Sequence, residues 1–330
     1  VRRAGWIAAL ALTGCGEGGV WTPPEGPADL DDGWDAPLGS GVTYILRSAG
    51  VFPGGVGLDL DGACTVAGCQ DNLLGRLRPY IDALIGQEIW QGTLRLMVEV
   101  AGLDDPSRWE DPRVTVKIYP VLDEDQPPDT LDDFFPVVGP CCRFRPDPDA
   151  LAPGTRQPAT RLRARLASGV LRSVGEGTLW FPLGFSDRLV RLERARLQVP
   201  LQAAGAPELA GIVGGAVSGA FAREVPGCLE DIGAPVCASP DDTLLDLLAS
   251  LAGSPDLDLD GDGLERFDVA RPGTGRITAC YDGCRGSCAQ VPALAPLDPE
   301  DPASCARLPE VADGYTVAYD VRLVEATLVQ

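Results

Sequence analysis

After residue 40, apolar and polar residues alternate with period two along much of the chain, the spacing of strands with one buried face. Val42 to Leu46 opens as a strand. Over Thr93–Val100, Leu94, Leu96 and Val98 share a face, and over Val114–Tyr119 the set is Val114, Val116 and Ile118. Arg161, Arg163 and Arg165 alternate with Leu162, Ala164 and Leu166. This spacing predicts a strand wet on one side, with the arginines as a solvated face. Leu179 to Phe185 and Leu189 to Val199 also read as extended. Near the C-terminus, Tyr315, Val317, Tyr319, Val321 and Leu323 alternate with mostly polar neighbours.

Two stretches switch to helical spacing. From Asn72 to Ile85, Leu73, Leu74, Leu77, Ile81, Leu84 and Ile85 recur on one face, and Pro79 should kink or split the helix. The second begins at Ser239-Pro240-Asp241-Asp242, with Ser as cap and Pro in the first turn. Its apolar face is Leu244, Leu245, Leu247, Leu248 and Leu251, and Gly253 and Pro255 end it. Residues 209–221 are small and apolar, and the first half reads as strand. Short strands and turn signals over a long chain predict a mainly β fold. The expected architecture is a β-sandwich-like domain or domains with two short helices and long disulfide-tied loops. The region 41–330 could divide into packed subdomains at 41–150 and 151–330.

Charge removes one class of partner. The 330 residues carry 27 Lys+Arg against 48 Asp+Glu, a net charge of −21, which would repel nucleic acid. There is no His, so catalysis by Ser-His-Asp or Cys-His and His-ligated zinc are excluded. Carboxylates, thiols, hydroxyls and arginines remain for chemistry. Lys117 is the single lysine.

At the N-terminus, Arg2-Arg3 precede an apolar run of nine residues, Ala4 to Leu12, followed by Thr13-Gly14-Cys15. The run is too short to span a bilayer, and no later stretch reaches 18 apolar residues. Charged start, short apolar run and small residues before the cut describe a secretory signal. Leu12-Thr13-Gly14-Cys15 resembles the lipobox of bacterial lipoproteins. That resemblance implies removal of residues 1–14, a diacylglyceryl thioether on Cys15 and an acylated new amino terminus. The membrane would then be a partner through the lipid on Cys15, held firmly by two or three acyl chains. Gly16 and Glu17 follow, with no Asp directly after Cys15, which favours the outer membrane by the enteric sorting rule. Residues 15–40, rich in Gly, Pro and Asp, read as the lipidated Cys and a flexible tether.

Ten of the 11 cysteines remain once Cys15 is lipidated, an even number in an exported chain. They are Cys64, Cys69, Cys141, Cys142, Cys228, Cys237, Cys280, Cys284, Cys288 and Cys305. Cys64/Cys69 and Cys228/Cys237 are the easiest to pair by sequence, and the last four are expected to pair among themselves. Cys280-x3-Cys284-x3-Cys288 does not match common cluster spacings.

One motif carries cation chemistry. Asp256-Leu-Asp258-Leu-Asp260-Gly-Asp262-Gly-Leu-Glu265 places acids at alternate positions of a turning stretch, as calcium requires from an oxygen cage. It resembles the calcium loops of EF-hands, dockerins and thrombospondin-type repeats. The resemblance implies one calcium ion on Asp256, Asp258, Asp260 and Asp262, with Glu265 or Asp268 replacing the missing twelfth-position acid. A weaker copy is Asp59-Leu60-Asp61-Gly62 with Asp71.

These readings point to an envelope or cell-surface lipoprotein. Calcium and disulfides would brace a non-catalytic domain that binds an unknown protein or glycan, or only coats the cell. In general character the chain resembles lipoproteins abundant in myxobacteria. The alternative is a secreted carboxylate-dependent hydrolase, such as a glycosidase on a β-sandwich, which needs two facing acids. Only 6% of residues are aromatic, a thin supply of sugar-stacking surfaces.

Overall fold

The computed structural model describes residues 32–54, 56–60, 71–105, 107–124, 141–175, 177–183, 189–201, 208–227, 243–253, 255–259, 266–270, 279–283 and 313–329. The leader, Cys15 and residues 16–31 lie outside them.

The strands are Val42–Val51 (β1), Leu96–Ala101 (β2), Asp111–Asp123 (β3), Cys141–Pro146 (β4), Thr160–Ala167 (β5) and Val170–Ser173 (β6). They continue with Leu179–Pro182 (β7), Leu189–Pro200 (β8), Leu209–Ser218 (β9), Arg266–Ala270 (β10), Ala279–Gly283 (β11) and Gly314–Leu328 (β12). Eight of them form a ring in the order β1-β2-β3-β5-β6-β8-β9-β12, and β12 returns to pair with β1. Every contact around that ring is antiparallel. The domain is therefore a closed barrel, which corrects the expected sandwich. Alternation reports which face of a strand is buried; it does not report whether the first and last strands meet. They meet because the 15-residue β12 is long enough to pair with β9 along Gly314–Leu323 and with β1 along Tyr319–Glu325. Closure satisfies edge hydrogen bonds that an open sheet would expose. Strands on both sides of residue 150 belong to this one barrel.

The inward residues are those the alternation selects. Leu96 and Val98, then Val114, Val116 and Ile118, Leu162, Ala164 and Leu166, and the alternate residues Tyr315, Val317, Tyr319, Val321 and Leu323 all enter one large core. An eight-stranded barrel is just wide enough for its own side chains to fill. Here the gap left among Leu46, Leu96, Val98, Ile118, Phe181 and Leu323 is about 10 Å³, at the threshold for one water. Tyr319 packs its ring 4.7 Å from that of Phe181 and donates its hydroxyl to the Pro182 carbonyl at 3.0 Å. A buried phenol needs such a partner. Burial pushes the Tyr319 hydroxyl well above its usual pKa, and the Asp82 charge adds to this.

Among the described residues three α-helices accompany the barrel: Arg78–Trp90 (α1), Gly219–Glu224 (α2) and Leu244–Leu251 (α3). Pro79 divides the first as its chemistry predicts. A 3-10 turn over Leu73–Leu77 precedes it, and the proline sits in the first turn of α1. Ile81, Ile85 and Ile89 then join the barrel core. Asn72 ties the turn down, donating to the carbonyls of Phe52 and Val56 and accepting from Ala318 N–H at 3.0 Å. The cap of α3 is Thr243, not Ser239. Its hydroxyl accepts from Asp246 N–H, and the Asp246 carboxylate accepts in return from Thr243 N–H at 2.9 Å. This capping box satisfies two otherwise orphan donors. The small-residue stretch divides as expected, with β9 ending at Ser218 and Ser218 capping α2.

The expected disulfide-tied loops fall almost entirely on residues that are not described. Cys64, Cys69, Cys228, Cys237, Cys284, Cys288 and Cys305 lie outside the described residues. Cys141 starts β4 and Cys280 lies in β11 opposite Val269. Cys142 is buried, and its sulfur is taken up in a disulfide, but no bridge joins two described cysteine side chains. What braces the described residues is barrel closure and a second small core. In that core β4 covers the outer wall, packing Cys142 and Phe144 on Ile45, Met97, Tyr119 and Val324.

Candidate functional site

Three features on the barrel's outer surface carry chemistry. The first is a strap. Residues 33–40, counted with the tether in the sequence reading, and Gly41 lie against β2, β3 and β5. Gly33 and Gly102 both have positive φ, and a Cβ on Gly33 would come within 2.4 Å of the Ala101–Gly102 backbone. Only glycine allows this approach. Beneath the strap, Glu99 and Lys117 stand opposite each other in the β2–β3 register, and both are fully buried. The Glu99 carboxylate accepts from Gly39 N–H at 3.0 Å, Gly41 N–H at 3.1 Å and the Tyr119 hydroxyl at 2.9 Å. Burial, helped by the Glu99 charge, holds the Tyr119 hydroxyl far above its usual pKa. The Lys117 ammonium donates to the Ala36 carbonyl, which also accepts from Gln157 Nε2 at 3.0 Å. Farther along, the guanidinium groups of Arg161 and Arg163 lie 4.5 and 4.9 Å from the centre of the Trp34 ring. Sequence reasoning missed this arrangement because alternation assigns Lys117 and Glu99 to the wet side. The available signal was that the chain's single lysine lies mid-strand between Val116 and Ile118.

The second feature is the acidic loop. Asp256 binds β12: one carboxylate oxygen accepts from Thr316 N–H at 2.9 Å and the other from the Thr316 hydroxyl at 2.5 Å. Both oxygens thus clamp the loop onto β12. The next residue, Leu257, makes a bridge to Gly314, and Asp258 and Leu259 follow. Asp260, Asp262 and Glu265 lie outside the described residues. Asp268 sits in β10, paired with Tyr281 of β11. A strand thus stands where an EF-hand would place its exit helix, so the helix–loop–helix likeness ends there.

The weaker copy meets this loop in space. Leu58-Asp59-Leu60-Asp61-Gly62 and Leu257-Asp258-Leu259-Asp260-Gly261 share one pentapeptide, Leu-Asp-Leu-Asp-Gly. Leu58, Leu60, Leu257 and Leu259 gather over Ala216 in one apolar cluster. Asp71 closes the first segment, its carboxylate accepting from Leu60 N–H at 2.6 Å and its own N–H donating to Leu58. Asp59 is exposed to intermediate degree, and Asp61 lies outside the described residues. Among the described residues no three metal-binding side chains gather.

The third feature is an open hollow of about 410 Å³ between β5, β8 and Leu259. Arg161, Gly177, Thr178, Glu193, Arg194 and Leu259 line it. It owes its shape to a bulge in β8, where the pairing with β9 slips between Glu193 and Arg196. Arg194 occupies that bulge at φ 47°, a conformation uncommon for a side-chain-bearing residue, and donates to the Leu259 carbonyl at 3.2 Å. Glu193 Oε1 accepts from Arg191 at 2.7 Å and from the Ser218 hydroxyl at 2.9 Å.

Comparison with known proteins finds no matching family model, no similar curated protein and no similar solved structure.

Proposed function

We propose that the chain is a lipid-anchored envelope protein, held to the outer membrane through Cys15, whose barrel is a non-catalytic binding or structural module. The observation that carries this reading is the strap. The wall of β2 and β3 spends a buried carboxylate and a buried ammonium on the N-terminal segment that leads back to the lipobox-like Cys15. A barrel secured at that segment suits a domain presented from a membrane.

The filled interior favours recognition on the outer surface. Among its described lining residues the 410 Å³ hollow presents one carboxylate, Glu193, with two arginines, whereas a glycosidase needs a facing pair of acids. We further propose that one calcium ion braces the loop starting at Asp258, drawing on Asp260, Asp262 and Glu265. Asp256 already serves as a clamp to Thr316. An oxygen-rich set of this kind fits calcium, which there supplies positive charge and loop order.

Membrane fractionation of the wild type and Cys15→Ala, with mass spectrometry of the N-terminus, tests the anchor. Release of the variant is expected. A membrane-bound variant and an unlipidated wild type would overturn it. Calorimetry with millimolar calcium on the wild type and on Asp258→Ala tests the brace, and no binding heat in the wild type would remove it.

A further inference from the structure

We infer that the barrel rests on the bilayer with its strap end toward the lipid, and that the indole of Trp109 enters the interfacial layer there. This rests on the reading of Cys15 as a lipid anchor and names the surface that the anchor brings to the membrane.

The topology separates two poles. The three α-helices of the described residues gather where β1 and β9 end and where β2 and β12 begin. At the other pole β2 ends, β3 begins, and the β5–β6 turn meets the end of β8. The N-terminal segment leaves the barrel at this second pole. A Cβ on Gly102 would come within 2.5 Å of the Asp32 backbone, so Asp32 stands at the start of the β2–β3 turn. Residues 16–31 separate it from Cys15 and extend to at most about 55 Å. The ten residues of β1 alone run roughly 33 Å from pole to pole. To bring the helix pole to the lipid, the segment would have to double back along the barrel wall. The strap pole is reached directly.

That pole carries Trp109, one of three large apolar side chains exposed among the described residues. The other two, Tyr80 and Trp90, lie on α1 at the helix pole. Trp109 is displayed on a fixed frame. Its N–H donates to the Asp105 carboxylate at 2.9 Å, and that carboxylate also accepts from the N–H groups of Ser107 and Glu110. Its carbonyl accepts from Gly169 N–H at 2.8 Å, and Glu110 accepts from Ser168 N–H at 2.8 Å. Gly169 has a φ of 72°, and a Cβ there would come within 3.2 Å of the indole, so the β5–β6 turn supports one edge of the ring. Arg108, just before it, holds φ 55°, an uncommon conformation for a residue with a side chain. A ring fixed in this way loses little freedom when it enters another phase. An indole has an apolar body and an N–H that seeks a polar partner, which suits the headgroup layer. Asp104, Asp105 and Glu110 in the same turn, with the chain's −21, favour an uncharged lipid surface over an anionic one.

The lipidated full chain, labelled with fluorotryptophan and reconstituted in phosphatidylcholine vesicles, tests this. Trp109→Phe and Trp90→Phe assign the two fluorine resonances. Both indoles are 58% exposed, so each is the other's control. With nitroxide-labelled lipid at headgroup depth, the Trp109 resonance should lose most of its height and the Trp90 resonance should keep its own. Amides of the β2–β3 turn should exchange more slowly on vesicles than in the soluble Cys15→Ala chain, and Trp109→Ala should abolish that slowing while leaving the chain anchored. Broadening at Trp90 alone, equal broadening at both, or broadening at neither overturns the inference. So does a slowing of exchange that Trp109→Ala leaves unchanged. Mass spectrometry reads the anchor separately. An unlipidated Cys15 removes the anchor reading and this inference with it, whereas a lipidated Cys15 with an unbroadened Trp109 removes the orientation alone.

Discussion

Replacing Glu99 by Gln should unfasten the strap while leaving the barrel standing. The carboxylate accepts three hydrogen bonds, from Gly39 N–H, Gly41 N–H and the Tyr119 hydroxyl. An amide keeps one acceptor oxygen and turns an NH₂ group toward at least one of these donors. One charge-assisted bond is lost, and a buried donor is left facing another donor. These are two sides of one change, so about 1.5–3 kcal/mol is expected in total. The nearby Lys117 ammonium, fully buried, also loses its compensating charge, which pushes toward the upper end. Against a domain stability of about 5–15 kcal/mol, the variant stays folded. Urea unfolding measures the loss, and hydrogen exchange localises it: the Gly39 and Gly41 amides should lose protection while those of β9 and β12 keep theirs. Lys117→Met in the Glu99→Gln background should cost less than the sum of the single variants, because the uncompensated charge goes with it. A Glu99→Gln stability within about 0.5 kcal/mol of wild type, with unchanged exchange at Gly39 and Gly41, would refute the argument.

Two further outcomes follow from side chains whose roles the fold fixed. Asp256→Ala removes both bonds to Thr316 and should destabilise by about 1–3 kcal/mol in chelator as well as in calcium; a loss seen only with calcium would make Asp256 an ion ligand instead. Asp105, in the turn between β2 and β3, is held well below the usual carboxylate range, chiefly by the Glu110 N–H and then by the Ser107 hydroxyl and the Trp109 and Ser107 amides. A depressed folded-state value favours the ionised form, so its contribution is present above the unfolded value of about 3.9 and disappears as pH falls through the folded value. Carboxyl NMR should give a midpoint clearly below 3.9, with the turn's amide protection fading only in strong acid; an ordinary midpoint would mean that these bonds do not hold in solution.

Some of this was open to sequence reasoning. Period-two alternation is a local property, so it identified the inward residues of β2, β3, β5 and β12 before any pairing was known. Proline chemistry is local too, and Pro79 separated the 3-10 turn from α1 as its missing N–H requires. The acidic loop was visible as a motif, yet the bonds its first member makes to Thr316 were not. Nothing in the spacing of Asp256 says that Thr316, 60 residues later, waits on a neighbouring strand with a hydroxyl and an N–H.

The sequence by itself determined a mainly β chain, the inner face of its long strands and a paired Leu-Asp-Leu-Asp-Gly signature. Tertiary structure alone decided that the sheet closes into a barrel, that the outer wall is covered by β4 and a strap, and that the two signatures meet over Ala216. It also decided that an arginine stripe ends at a hollow bordered by a bulge on another strand. The physical reason is the range of the interactions. Alternation and turn chemistry act between residues a few positions apart, whereas closure, covering and convergence depend on which distant surfaces bury each other, and that is settled only when the whole chain packs.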